Sequence, residues 1–171
     1  MNNLEIERKF LVKKDSIPYN LKNLKSKKII QGFIYFNPAI RVRRVDNEYF
    51  LTIKSKPNNY KEYGDLVRNE YEISIGKNAF NDLLKLCVGK ILYKRRYYIP
   101  YKYGKKTYII ELDIFEKDFK GLIYAEIEFE NVKNAYKIKV PDWFFKEVTN
   151  IRKYKNTELS ICKNIKNVLK Y

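Results

Sequence analysis

Residues 4–12 read Leu4-Glu5-Ile6-Glu7-Arg8-Lys9-Phe10-Leu11-Val12. In a strand, alternate side chains point to opposite faces. Glu5, Glu7 and Lys9 therefore share one face, and Leu4, Ile6 and Phe10 take the other. The two acids stand about 7 Å apart, and at an effective dielectric of about 20 their repulsion costs roughly 2 kcal/mol. A solvated surface strand tolerates that cost. A functional strand needs a cation between the acids.

The same period of two recurs along the chain. Arg41 and Arg43 flank Val42, Thr52 and Lys54 flank Ile53, and Glu70 and Glu72 flank Tyr71. Lys94 and Arg96 share a face, Glu111 and Asp113 flank Leu112, and Glu126 and Glu128 flank Ile127 with Glu130 next in line. Taken singly, each segment reads as a strand with a polar outer face and an apolar inner one. That reading does not explain why the paired charges on each strand have one sign, since mixed cross-strand pairs are the favoured ones. The alternative inverts the sheet. Charged faces then line the inside of a closed barrel, and apolar faces lie outward under helices. An interior carrying both signs without a ligand is heavily penalised by desolvation. Water, divalent metal and a polyanion relieve it, because acid pairs chelate divalent cations and Lys and Arg clamp phosphate oxygens.

Composition narrows the chemistry. The 171 residues suit one domain, spanning 1–171. A hydrophobic content of 45% is enough for a core. With 36 Lys+Arg against 20 Asp+Glu, the formal charge of +16 favours anionic partners. The absence of histidine excludes His-based triads and His-ligated zinc. Any metal must then be held by oxygen, which points to Mg²⁺ or Mn²⁺. Cys87 and Cys162 form no disulfide or metal pattern and read as buried thiols on apolar helix faces. No signal peptide opens the chain and no apolar run approaches ~18 residues, so the expected location is cytoplasmic, away from the membrane.

Turn signals separate short runs rich in Tyr, Ile, Val and Phe. Eight strands are predicted, at 3–12, 28–36, 39–46, 48–56, 66–75, 91–100, 106–115 and 122–131, mostly antiparallel neighbours. Helices are predicted over 15–26, 77–88 and 157–169, with a short turn from Pro141 that includes Trp143 and Phe144. So few helices cannot sandwich such a sheet, but they can cover the outside of one that closes. The expected architecture is α+β: an eight-stranded antiparallel closed β-barrel, a tunnel, with helices packed outside.

The ordered set of motifs resembles the CYTH superfamily, the triphosphate tunnel metalloenzymes. The landmarks are Glu5-Ile6-Glu7-Arg8-Lys9, Arg41-Val42-Arg43, Thr52-Ile53-Lys54, Glu70-Tyr71-Glu72, Lys94-Arg95-Arg96-Tyr97, Glu111-Leu112-Asp113, Ala125-Glu126-Ile127-Glu128, Glu147-Val148-Thr149 and Tyr154-Lys155-Asn156. The resemblance runs from about residue 3 to residue 160. It implies metal-dependent hydrolysis of a triphosphate, with a small-molecule triphosphate as partner. Glu5, Glu7, Glu126 and Glu128 would ligate metal, with Asp113, Glu70 and Glu72 near a second metal or its waters. Lys9, Arg41, Arg43, Lys54, Lys94, Arg96 and Lys155 would hold phosphate. Lys94, Arg96, Glu70, Glu72 and Asp113 would carry the catalytic step. The Glu-Leu-Asp and Ala-Glu-Ile-Glu-Phe ending is most similar to that of compact bacterial inorganic triphosphatases. An adenylate cyclase of the same fold and a thiamine or nucleoside triphosphatase remain alternatives. So does a non-catalytic protein binding polyphosphate or nucleic acid, although the acid pairs repel a nucleic acid backbone and no nucleic acid is expected. Exposed apolar barrel surface is expected to favour a homodimer.

Overall fold

The computed structural model describes residues 4–170; the predicted strand start at residue 3 lies outside the described residues. Nine strands form one antiparallel sheet. They are β1 (Leu4–Val12), β2 (Ser26–Phe36), β3 (Ala39–Val45), β4 (Glu48–Ser55), β5 (Val67–Ser74), β6 (Val88–Tyr103), β7 (Lys106–Phe115), β8 (Ile123–Glu128) and β9 (Phe144–Glu147). The order β5-β4-β3-β2-β6-β7-β8-β1-β9 is closed by pairing of β5 with β1, so the first eight strands make a barrel.

Closure happens on β1. Glu7 to Leu11 pair with β8 on one edge. On the other, Leu4 to Ile6 pair with β5, and Phe10 to Val12 pair with β9. The ninth strand thus covers the stretch of edge that β5 leaves. The sequence reads this segment as a turn from Pro141, because four residues show no usable alternation. β9 is held on β1 by Arg8, which donates to both carboxylate oxygens of Glu147 at 2.9 and 2.6 Å.

The inverted alternation is what the barrel shows. Ile6, Phe10, Ile110, Leu112, Ala125 and Ile127 lie in an outer apolar cluster completed by Ala135, Ile138, Trp143 and Phe144. The short helix α2 (Val132–Lys137) belongs to that cover, and Asn131 caps it by accepting from the Asn134 N–H. Asn131 reads in the sequence as a turn; here it starts a helix. On β2–β4 the outer cover is α1 (Lys77–Lys85), with Phe80 buried. Cys87, two residues past the helix end, presses on β2, where a Cβ at Gly32 would lie 2.5 Å from the thiol sulfur.

Two predicted helices break. Residues 15–26 form only the 3₁₀ turns Lys14–Ser16 and Leu21–Asn23 before β2 begins at Ser26. Pro18 forces Ile17 into extended backbone, and the Asn20 side chain takes the Lys22 N–H. Residues 157–169 form α3 (Asn156–Ser160) and α4 (Lys166–Leu169), with Cys162 in the gap between them. Cys87 and Cys162 are half-buried rather than buried.

The C-terminal segment is not packed outside. Leu11, Phe33, Leu92, Phe115 and Tyr124 continue the inward faces of their strands, and they cluster with Val148, Tyr154, Leu159 and Val168. The chain after β9 therefore forms an apolar plug against one end of the barrel. No helix among the described residues is long and apolar enough to cross a membrane.

Candidate active site

Inside the barrel lies a cavity of about 680 Å³. Of the residues singled out in the sequence, Glu5, Glu7, Lys9, Arg41, Arg43, Lys54, Glu70, Lys94, Arg96, Glu126, Glu128 and Lys155 line it. Strand register explains the assembly. Glu7 stands directly across from Glu128, Lys9 from Glu126, and Glu111 from Glu126. Like charges set opposite each other destabilise a sheet, so the fold holds this arrangement against its own electrostatics.

The carboxyl groups record the strain. Burial, then Glu126 and Glu5, push Glu7 up to about 8. Burial, then Glu111 and Glu5, push Glu128 up to about 7. Glu5 resists its burial because Lys54 and Arg68 hold it down at about 2. Lys54 Nζ lies 2.6 Å from Glu5 Oε1, and Arg68 Nη2 lies 3.2 Å from Glu5 Oε2 and 3.5 Å from Glu7 Oε1.

Carboxylate oxygens of Glu5, Glu7 and Glu128 all lie within 4.8 Å of one another. Hard divalent cations take such oxygens at about 2.0–2.6 Å, so small side-chain shifts would let one ion touch all three. Glu5 Oε2 is buried without a hydrogen bond, leaving it a lone pair for such an ion. The residues fit a cation.

Around this triad the cations are already paired with acids. Lys9 lies 2.9 Å from Glu126; burial opposes its charge, but Glu126 and Glu7 raise it above the usual lysine range. Arg41 reaches Glu70 at 3.4 Å, and burial with Arg43 lowers it to about 10. Arg96 donates to Asp113 through Nε and Nη2, both at 2.7 Å, and to Glu126 at 2.7 Å. Glu111 also accepts from Arg96, and Asp113 accepts from Lys94. Burial, opposed by Asp113 and helped by Arg96, pulls Lys94 below the usual lysine range.

Two assignments move. Asp113 is fully buried behind Lys94 and Arg96 and does not line the cavity, so it stands apart from the carboxylate triad. Glu72 is exposed and also absent from the lining; it accepts from Arg43 at 2.6 Å and Thr52 at 2.7 Å. Glu126 lines the cavity but is engaged by Lys9 and Arg96. Sequence reasoning also passed over Arg68, which continues the inward face of Glu70 and Glu72 at the same period of two and pairs across the seam with Glu5. Lys155 is held at the cavity rim by Asp65, at 2.7 Å.

A CYTH domain pattern matches residues 3–160. The chain belongs to the CYTH family. Over 160 residues it is 34% identical to an inorganic triphosphatase of Nitrosomonas europaea, covering 92% of this chain and 97% of that protein. An inorganic triphosphatase of Acetivibrio thermocellus is 32% identical, with 91% of this chain and 92% of that protein covered. A crystal structure of an inorganic triphosphatase superposes with a TM-score of 0.63 at 31% identity, over 94% of this chain and 96% of that one. A putative adenylyl cyclase from Hippeastrum, described as having dominant triphosphatase activity, is 18% identical. It shares the fold at a TM-score of 0.53, over 77% of this chain and 82% of that one. The CYTH barrel thus accounts for the inverted alternation of charge.

Proposed function

We propose that this CYTH barrel is a metal-dependent inorganic triphosphatase acting on tripolyphosphate. The observation that carries the reading is the main cavity, in which the Glu5–Glu7–Glu128 triad stands among Lys9, Arg41, Arg43, Lys54, Arg68, Lys94 and Arg96. The names of the two bacterial relatives support the substrate.

Glu5, Glu7 and Glu128 would hold the cation, Mg²⁺ or Mn²⁺ by the all-oxygen donor set. When bound there it would neutralise phosphate charge and acidify an attacking water. The chain's own cations bind and align the phosphates. Lys94 and Arg96, braced from behind by Asp113, stabilise the leaving pyrophosphate. Lys155 closes on the phosphate from the rim. Glu70, which lines the cavity beside Lys54, takes the water's proton in this reading. Water attacks the terminal phosphorus, the phosphoanhydride bond breaks, and no side-chain nucleophile takes part.

Phosphate release from tripolyphosphate, ATP and thiamine triphosphate, each with Mg²⁺, Mn²⁺ and EDTA, tests this. Fast metal-dependent release from tripolyphosphate is expected; cyclic AMP from ATP would make the barrel a cyclase instead. Glu7→Gln is expected to cut turnover roughly 100-fold or more while leaving the fold intact, since a neutral amide resembles the protonated carboxyl that burial favours at this position. Turnover within a few-fold of the parent would overturn the metal assignment.

A further inference from the structure

A second cavity lies beside the first. It measures about 270 Å³ and is lined by Lys106, Thr107, Tyr108, Ile109, Glu111, Glu128 and Glu130. Two of these residues, Glu111 and Glu128, also line the main cavity, so that pair forms the wall the two spaces share. Thr107, Ile109 and Glu111 alternate on β7, Glu128 ends β8, and the exposed Glu130 follows two residues later in a bend. Here the β6–β7 hairpin runs on to Tyr103 and Lys106 beyond the end of β8.

The two cavities differ in charge. The main cavity is lined by ten basic and eight acidic residues, and its rim carries Lys56, Arg152 and Lys155 against the two acids they pair with, Asp65 and Glu158. The second is lined by three acids and one lysine, and that lysine is paired with Glu130. A cleft lined by one sign draws ions of the other and turns its own sign away. One wall of the acidic cavity is Glu128, a member of the carboxylate triad.

We propose that the two reactants use different doors. The divalent cation reaches the triad through the acidic cavity past Glu130 and Ile109, while the phosphate chain comes and goes through the basic rim. This rests on the reading of Glu5, Glu7 and Glu128 as the cation site. It adds a role for Glu130 and Ile109, which lie outside the carboxylate triad and outside the main cavity lining. The cation can then exchange while phosphate fills the basic side.

An access residue shapes the barrier to binding and leaves the bound state alone. Its substitution therefore slows association and dissociation together, with Kd nearly unchanged. A ligand's substitution changes Kd. The probe is Tb³⁺, whose luminescence nearby tyrosines excite, followed by stopped flow on the full chain. Glu130→Lys is expected to slow Tb³⁺ association about tenfold, the low end of what a charged cleft supplies, with a matching slower release. Ile109→Trp, a neutral obstruction, is expected to slow both rates as well. Lys56→Glu at the other rim is expected to leave Tb³⁺ rates within about twofold while slowing pyrophosphate association. Unchanged Tb³⁺ rates in both Glu130→Lys and Ile109→Trp would overturn the route, as would a Lys56→Glu effect as large as theirs. A changed Kd in Glu130→Lys would make Glu130 a ligand instead. If the parent binds no Tb³⁺, the triad reading and this route fall together; absent phosphatase activity with intact Tb³⁺ kinetics sinks only the activity.

Discussion

At the scale of single residues, the site is a set of charges held in unfavourable places by strand register. Asp113 shows how a residue type can mislead. It lies two positions from Glu111 on the inward face, yet it is fully buried and spends both oxygens on Lys94 and Arg96. Asp113→Asn is expected to lower kcat and to destabilise the fold by roughly 3–5 kcal/mol, because two buried cations lose their counter-charge. Calorimetric metal affinity is expected to stay put, which a metal ligand's substitution would not allow. The Glu7 carboxyl gives a pH signature. Its ordinary value is 4.5 and its folded value about 8. The stability it contributes is full below about pH 4.5 and is lost as pH rises through about 8. Glu128 behaves alike through about 7. Glu5, lowered to about 2, contributes above its unfolded value and loses that contribution as pH falls through about 2. A cation must displace the protons on Glu7 and Glu128. The thermal shift caused by Mg²⁺ is therefore expected to be small at about pH 6 and to level off above about pH 8, and a pH-independent shift would contradict the triad.

At the scale of elements, alternation was legible and interruption was not. The period of two exposed the inward face of β1, β3, β4, β5, β6, β7 and β8, and with it most of the charged residues of the cavity lining. Arg68 carries the same signal and needed only one more step back from Glu70. Asp113 and Glu72 could not be told from lining residues, because alternation gives the face and not the depth or the position along the barrel. β9 and α2 were invisible for another reason: four and six residues hold too little periodicity, and their stability comes from tertiary partners such as Arg8–Glu147. The predicted C-terminal helix breaks in two, yet its apolar residues Leu159, Cys162, Ile165 and Leu169 still pack together, against the barrel's inward apolar residues, and mark a plug instead of an outer cover. Leu159→Ala, at a fully buried plug position, is expected to lower stability by about 2–5 kcal/mol in urea unfolding. It is also expected to raise KM for tripolyphosphate, since the same segment carries Lys155 to the rim. An unchanged KM would detach the plug from substrate binding.

For the whole molecule, the charge of +16 serves encounter more than grip, because the cavity's cations are individually paired with acids. KM for tripolyphosphate is expected to climb with NaCl while kcat holds, as screening shortens the reach of the field; parallel loss of kcat would place the salt effect at the bound state. The strand order has a different consequence, for the chain as it is made. β1 pairs with β5, β8 and β9, and none of these is its neighbour in sequence. The strand carrying Glu5 and Glu7 leaves the ribosome first and completes its pairing last. At about 5–20 residues per second, β8 follows β1 by roughly 6–24 s. Through that interval the meander from β2 to β5 can form, while the apolar side of β1, with Ile6, Phe10 and Val12, waits uncovered beside two unpaired backbone edges, the surface on which nascent chains aggregate.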